Sequence, residues 1–103
     1  MPIVRISRGW FEAHQHDEVS RLLSEGANTL IPAIQKLPGL LNYYVGIDGV
    51  TNSMTNVSIW ESEEAAQQMA TLAEMAVQRD VFIALGVRFD AIANYAPLWK
   101  IAA

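Results

Sequence analysis

The chain has 103 residues, of which 51% are hydrophobic and only 17% are charged, with a formal net charge of −4 and no cysteine. This length suits one domain, spanning residues 1–103. The acidic balance argues against a nucleic-acid partner, and the missing cysteine excludes disulfides and thiol catalysis. No apolar run is long enough to span a membrane and no secretion signal opens the chain, so we predict a cytoplasmic protein.

The first half of the chain predicts a strand followed by a long helix. Alternating apolar residues over Ile3–Arg8 are typical of a half-buried strand. From Asp17 onwards, the apolar residues recur at spacings of three and four, as on one face of a helix, and Asp17 is the expected N-cap. Pro32 predicts a kink or a break in this helix near residues 29–31, because proline cannot donate a backbone hydrogen bond.

The second half predicts a hairpin, a helix and a last strand. Leu40–Asp48 and Met54–Trp60 are the two hairpin strands, separated by a short polar turn. Ser62 is the expected N-cap of a second helix, which Gly86 ends. The last strand is expected over Ile92–Trp99, either at the edge of the sheet or ending at its proline.

This order of elements predicts an α+β fold, the ferredoxin-like βαββαβ sandwich, with two helices on one face of a four-stranded antiparallel sheet. Alternation along the third strand divides its residues between the two faces. One face carries Thr55, Val57 and Ile59. The other carries Met54, Asn56, Ser58 and Trp60. Because an uncovered apolar face is unfavourable in water, and the composition is unusually apolar, we predict a homodimer through the sheet face that bears Val57.

Two segments of the chain resemble the antibiotic biosynthesis monooxygenase superfamily. They are Pro38-Gly39-Leu40-Leu41-Asn42-Tyr43-Tyr44 and Asn56-Val57-Ser58-Ile59-Trp60-Glu61-Ser62-Glu63-Glu64-Ala65. The resemblance implies a dimeric α+β barrel. It also implies a quinone-forming monooxygenase that uses no metal or flavin cofactor. Such an enzyme oxidises a small apolar or aromatic, quinol-type molecule with O₂ after the substrate loses a proton.

The resemblance also implies a set of site residues. Asn56 and Trp60 match an Asn and a Trp four residues apart in the superfamily pattern, and this spacing puts both on one face of a strand. An amide can stabilise a developing oxyanion, and an indole can stack on an aromatic ligand. The tyrosine of the pattern falls on Ala66, and its arginine falls on Arg79 with one residue of offset. The haem-degrading branch is excluded, because its Trp position is Met69 and its histidine has no counterpart.

The only two histidines lie together, in His14-Gln15-His16. Their spacing would suit a metal, but no third histidine exists, so we predict no metal site. Either imidazole could instead deprotonate a phenol, with a solvated loop histidine as the plainer alternative.

Taken together, the sequence predicts a pocket under the second helix. The predicted catalytic residues are Asn56, Trp60, His14 and Arg79. The predicted ligand contacts are Ser58, Met69, Leu72 and Tyr44. The alternative function is that of a non-catalytic ligand-binding or structural dimer of the same fold.

Overall fold

The computed structural model describes residues 1–103 as five strands and three helices. The strands are β1 (Ile3–Trp10), β2 (Leu40–Asp48), β3 (Ser53–Trp60), β4 (Arg88–Phe89) and β5 (Ala93–Tyr95). The helices are α1 (His16–Gln35), α2 (Glu63–Ala66) and α3 (Ala73–Leu85), with 3-10 turns at Ala13–Gln15 and Gln67–Thr71. The predicted ferredoxin-like α+β class is confirmed.

The strands form one antiparallel sheet in which β1 is central. Its order is β2-β3-β1, and both β4 and β5 pair with the free side of β1. Phe89 and Ala93 are four residues apart, yet they lie opposite Gly9 and Ile6, which are three apart. One extra residue therefore interrupts this edge. The predicted single strand Ile92–Trp99 is wrong in its bounds: pairing begins at Arg88 and ends before Pro97, which has no amide hydrogen to donate.

Two predictions about the ends and the continuity of α1 need correction. The helix begins at His16, with Gln15 in the cap position, so Asp17 lies inside the first turn and is not the N-cap. The helix is continuous through Pro32, so the predicted break is wrong and the alternative of a kink stays a prediction. Pro32 leaves the carbonyl of Asn28 without its helical partner, but both residues are exposed, so water can satisfy that carbonyl.

The second predicted helix has the expected ends but is divided in the middle. Ser62 Oγ accepts a hydrogen bond from the Ala65 amide at 3.1 Å, which confirms the cap. Gly86, with φ +100°, ends α3 as predicted. Between them, Leu72 is extended, and the Gln68 side chain donates to the carbonyls of Ala65 and Pro38, each at 2.8 Å. No glycine or proline marks this break in the sequence.

The core lies on one face of the sheet in two clusters. The Phe82 cluster contains Phe11, Val19, Met54, Phe82 and Val87. The Trp60 cluster contains Ile34, Trp60, Ala66 and Met69. Both include residues from the helix-facing side of β3, as predicted. None of the helices combines the length and the apolar character that crossing a membrane requires, and the cytoplasmic location stays a prediction.

Candidate active site

A cavity of about 560 Å³ lies between the sheet and the helices α1 and α3. Its lining includes members of both core clusters, Met54 and Phe82 from one and Ile34 and Met69 from the other. The apolar stripe of α1 forms one wall, through Leu23, Ala27, Leu30, Ile31 and Ile34. A cavity of this size and character is typical of a site for a small organic molecule.

The sheet side of the cavity carries a connected patch of polar side chains. Ser7 of β1 lies directly opposite Asn56 of β3, and both line the cavity. Two residues along, Arg5 of β1 and Tyr43 of β2 lie on either side of Ser58. Because side chains two residues apart on a strand share a face, all five point towards the helices. The cavity therefore combines an apolar wall with a polar floor.

Arg5 is the most unusual member of this floor. Its side chain is buried, with only 9% of the residue exposed, yet it makes no ion pair. The ion pairs of the protein lie on the surface, between Arg21 and the glutamates of its own helix, and His16 lies beside Asp17 there. Burial lowers the pKa of Arg5 by desolvation; Tyr43 opposes this effect, and the charge of Arg79 adds to it more weakly. Since arginine stays protonated in proteins, the cavity contains an unpaired cation.

Tyr43 carries an unsatisfied polar group in the floor. Its hydroxyl is buried and has no hydrogen-bond partner. The strand register places Tyr43 and Arg5 on either side of Ser58. Burial raises the pKa of Tyr43 to about 12, against an opposing effect of Arg5. The phenol therefore stays protonated at neutral pH and remains a donor.

Arg79 approaches the cavity from α3. Its guanidinium lies over the ring of Phe89, 4.8 Å from the ring centroid, which is a cation–π contact. It pairs with no carboxylate, not even that of its neighbour Asp80. Arg79 therefore provides the cavity with a second cation that no carboxylate neutralises.

The predicted site residues separate into two groups. Asn56, Arg79 and Met69 line the cavity. Trp60 and Ser58 do not: both are buried, and Trp60 Nε1 donates to Ser58 Oγ at 2.8 Å. This pair satisfies its own hydrogen bond inside the Trp60 cluster. The structure thus gives Trp60 no surface on which a ligand in the cavity could stack.

The remaining predicted residues also lie outside the cavity lining. Leu72 packs against the Trp60 cluster. Tyr44 points to the opposite face of the sheet and is 60% exposed. His14 is exposed in the 3-10 turn before α1, and His16 Nδ1 lies 3.2 Å from Asp17 Oδ1. No three His, Cys, Asp or Glu side chains come together as a group that could hold a metal.

Sequence reasoning missed Arg5, Ser7 and Tyr43. A signal was present for the first two, because both are polar and share one face of a short apolar strand. Their meaning depends on the register that places Arg5 and Tyr43 beside one β3 residue, Ser58, and a single sequence does not reveal that register.

No family profile and no curated protein matches the sequence. Solved structures, however, match nearly the whole chain. A variant of SnoaB, a cofactor-independent oxygenase from Streptomyces nogalater, has a TM-score of 0.71 at 10% identity, covering 99% of this chain and 98% of that chain. A proposed antibiotic biosynthesis monooxygenase from Deinococcus radiodurans has a TM-score of 0.72 at 20% identity, covering 100% and 98%. Rv0793 from Mycobacterium tuberculosis has a TM-score of 0.68 at 15% identity, covering 99% and 100%.

The chain therefore has the fold of antibiotic biosynthesis monooxygenase structures, and the predicted resemblance is confirmed at the level of the fold. At these identities, the comparison concerns the fold and leaves the activity to be argued from the site.

Proposed function

We propose that the protein is a cofactor-independent oxygenase that acts on a small aromatic or quinol-type molecule held in the cavity. The observation that carries this proposal is the apolar cavity of about 560 Å³ with Asn56 and Arg79 in its lining. Its fold is that of SnoaB, itself a cofactor-independent oxygenase. A flat aromatic molecule fits apolar walls, and the amide and guanidinium can stabilise negative charge that develops on its oxygen.

The proposed reaction needs only the substrate and O₂. A substrate with an activated CH₂ group loses one proton, and the resulting carbanion adds to O₂ to give a peroxide anion. That anion takes a proton, and the hydroperoxide then loses water to leave a carbonyl group. One oxygen atom thus ends in the product and the other in water. Asn56 and Arg79 would act in the first step, where the negative charge spreads onto the substrate oxygen.

The cavity places a limit on the substrate. Its lining contains no aspartate, glutamate or histidine, so no side chain of ordinary basicity is present to remove the first proton. His14, the base predicted from the sequence, lies outside the lining, and we assign it no step. A suitable substrate is therefore acidic enough to ionise in water or on entering a cavity that contains two arginines.

Oxygen uptake over a panel of anthrones and hydroquinones tests this proposal. We expect uptake with at least one anthrone-like compound, without added metal or flavin. Removing one oxyanion donor costs about 10²–10³-fold in rate in other enzymes, so Asn56→Ala is expected to lose at least about tenfold. Asn28→Ala, on the exposed side of α1, is the matched control and keeps full activity. An Asn56→Ala variant as active as the wild type would contradict the assigned role.

A non-catalytic ligand-binding protein is the second candidate, and the missing base in the cavity favours it. The two candidates differ in one measurement. An enzyme consumes O₂ in proportion to the substrate converted, whereas a binding protein saturates with the same compounds and consumes none.

We propose further that the functional unit is a homodimer that pairs through the sheet face opposite the helices. That face carries Val57 and Ile59, and Tyr44 and Tyr95 on it are 60% and 55% exposed. A stable dimer would remove this apolar surface from water.

Light scattering tests the dimer by its mass, which is expected at twice the 11.4 kDa of the chain. Val57→Glu is expected to give monomers, because it puts a charge in the centre of the paired face. Val50→Glu is the control, since Val50 is 91% exposed at the hairpin turn and lies outside that face. A wild-type monomer at micromolar concentration would overturn the proposal.

A further inference from the structure

We infer that the ligand of this cavity carries an oxyanion, a carboxylate or phenolate on a flat aromatic frame, and that Arg5 binds this group. The inference rests on the proposed ligand-binding role of the cavity but not on catalysis. It assigns a specificity-determining role to a residue of β1 that the sequence analysis did not select.

The first argument is the isolation of Arg5. A buried guanidinium ordinarily has a carboxylate partner, because removing a charge from water without one is costly. Here the residue is 9% exposed, no ion pair involves it, and no acidic side chain lines the cavity that it borders. Since no side chain of the lining can pair with Arg5, an anion that enters the cavity is the partner it can bind there.

The second argument is the position of Arg79. It borders the same cavity from the helix side, and its charge is close enough to Arg5 to disfavour the protonated form there. Two like charges facing one space repel each other. An anion bound between them replaces this repulsion with two attractions, whereas a neutral ligand would leave it in place.

The third argument concerns the rest of the ligand. Phe89 already holds Arg79 over its ring, and the opposite wall is formed by aliphatic residues of α1. On the floor, Arg5 borders the cavity, whereas the Tyr43 hydroxyl is enclosed. The cavity thus matches an amphipathic molecule, with an acidic group towards Arg5 and an aromatic body along α1.

Three probes with the same anthracene frame and a different charge on the 2-substituent test the inference by calorimetry. They are anthracene-2-carboxylate, anthracene-2-carboxamide and 2-(aminomethyl)anthracene, which are an anion, a neutral molecule and a cation at neutral pH. We expect the carboxylate to bind at least about tenfold more tightly than the amide, in line with the greater strength of charge-assisted hydrogen bonds. The cation is expected to show no measurable binding.

Variants then assign the selectivity to Arg5. Arg5→Met removes the charge at similar volume and is expected to reduce the affinity for the carboxylate to about that for the amide. Arg5→Lys is expected to retain part of the preference. Arg8→Met is the matched control: Arg8 lies three residues along β1, exposed on the opposite face, outside this cavity. Equal binding of carboxylate and amide to the wild type, an unchanged preference in Arg5→Met, or binding of neither probe would each overturn the inference.

This experiment separates the inference from the proposed oxygenase activity. If the carboxylate binds through Arg5 but no compound of the panel supports oxygen uptake, the oxygenase proposal fails and the inference stands. If neutral anthrones are oxidised equally by the wild type and Arg5→Met, the oxygenase proposal stands and the inference fails.

Discussion

Two sets of polar groups lie side by side on the helix-facing side of the sheet, and they differ in whether the protein itself provides their partners. Trp60 and Ser58 are buried and satisfy each other, with 2.8 Å between Nε1 and Oγ. Arg5 and Tyr43 lie on either side of that same Ser58: Arg5 pairs with no carboxylate, and the Tyr43 hydroxyl has no hydrogen-bond partner. The closed Trp60–Ser58 pair is buried and has no surface to offer a ligand. The second set is open, because Arg5 borders the cavity without a carboxylate and a ligand can supply that partner.

The largest effect is expected where the closed pair is broken. Trp60→Ala removes a fully buried side chain from the Trp60 cluster, and such substitutions cost about 3–5 kcal/mol. Denaturant unfolding at a fixed protein concentration is expected to show this loss. Ser58→Ala is the milder companion: it removes only the acceptor and leaves the indole N–H unpaired, at a cost of about 1–3 kcal/mol. If Trp60→Ala left stability unchanged but weakened ligand binding, Trp60 would belong to the site and the contrast would be wrong.

The residues of this pair show why the fold was easier to predict than the site. The alternation of Met54, Asn56, Ser58 and Trp60 identified the helix-facing side of β3, and the element order then fixed the topology. Periodicity shows which face a side chain is on, but not whether it borders a cavity or a core. Asn56 and Trp60 share a face four residues apart, yet only Asn56 lines the cavity.

The structural details that were missed depend on long-range contacts. The division of the second helix at Leu72 accompanies hydrogen bonds from Gln68, one of them to Pro38, thirty residues earlier. The edge formed by β4 and β5 is set by pairing with β1, which overrides the local signal for a strand over Ile92–Trp99. Both contacts join residues that are far apart in the sequence, so propensity and capping rules, which use neighbouring residues, could not predict them.

The next largest effect is on stability at high pH and concerns Tyr43. Tyr43 titrates at about 12 in the folded protein, whereas a tyrosine in the unfolded chain titrates near 10. Between these values the unfolded chain gives up its proton more readily, so rising pH favours unfolding. The contribution of the protonated Tyr43 to the free energy of unfolding is fully present below about pH 10. It is lost as the pH rises through about 12. A shift of two pKa units corresponds to at most about 3 kcal/mol.

Tyr43→Phe isolates this contribution, because it removes only the Tyr43 hydroxyl. We expect the variant to be at least as stable as the wild type at pH 8, since it removes a buried hydroxyl without a hydrogen-bond partner. Its advantage is expected to grow as the pH rises from 10 to 12. Tyr44→Phe is the control, because Tyr44 lies on the opposite face of the sheet and outside the cavity. Parallel stability curves for wild type and Tyr43→Phe would mean that the phenol is not desolvated as described.

The smallest expected effect has the opposite sign to that of Trp60→Ala and concerns Arg5. In the absence of ligand, Arg5→Met is expected to raise the free energy of unfolding by about 1 kcal/mol, because it replaces a desolvated, unpaired guanidinium with an apolar side chain of similar size. Thermal and denaturant unfolding measure this directly, with Arg8→Met expected to change little. If Arg5→Met is more stable but no longer binds the anion, Arg5 serves ligand binding at the expense of stability. A loss of stability would mean instead that Arg5 supports the fold, and the contrast with the Trp60–Ser58 pair would not hold.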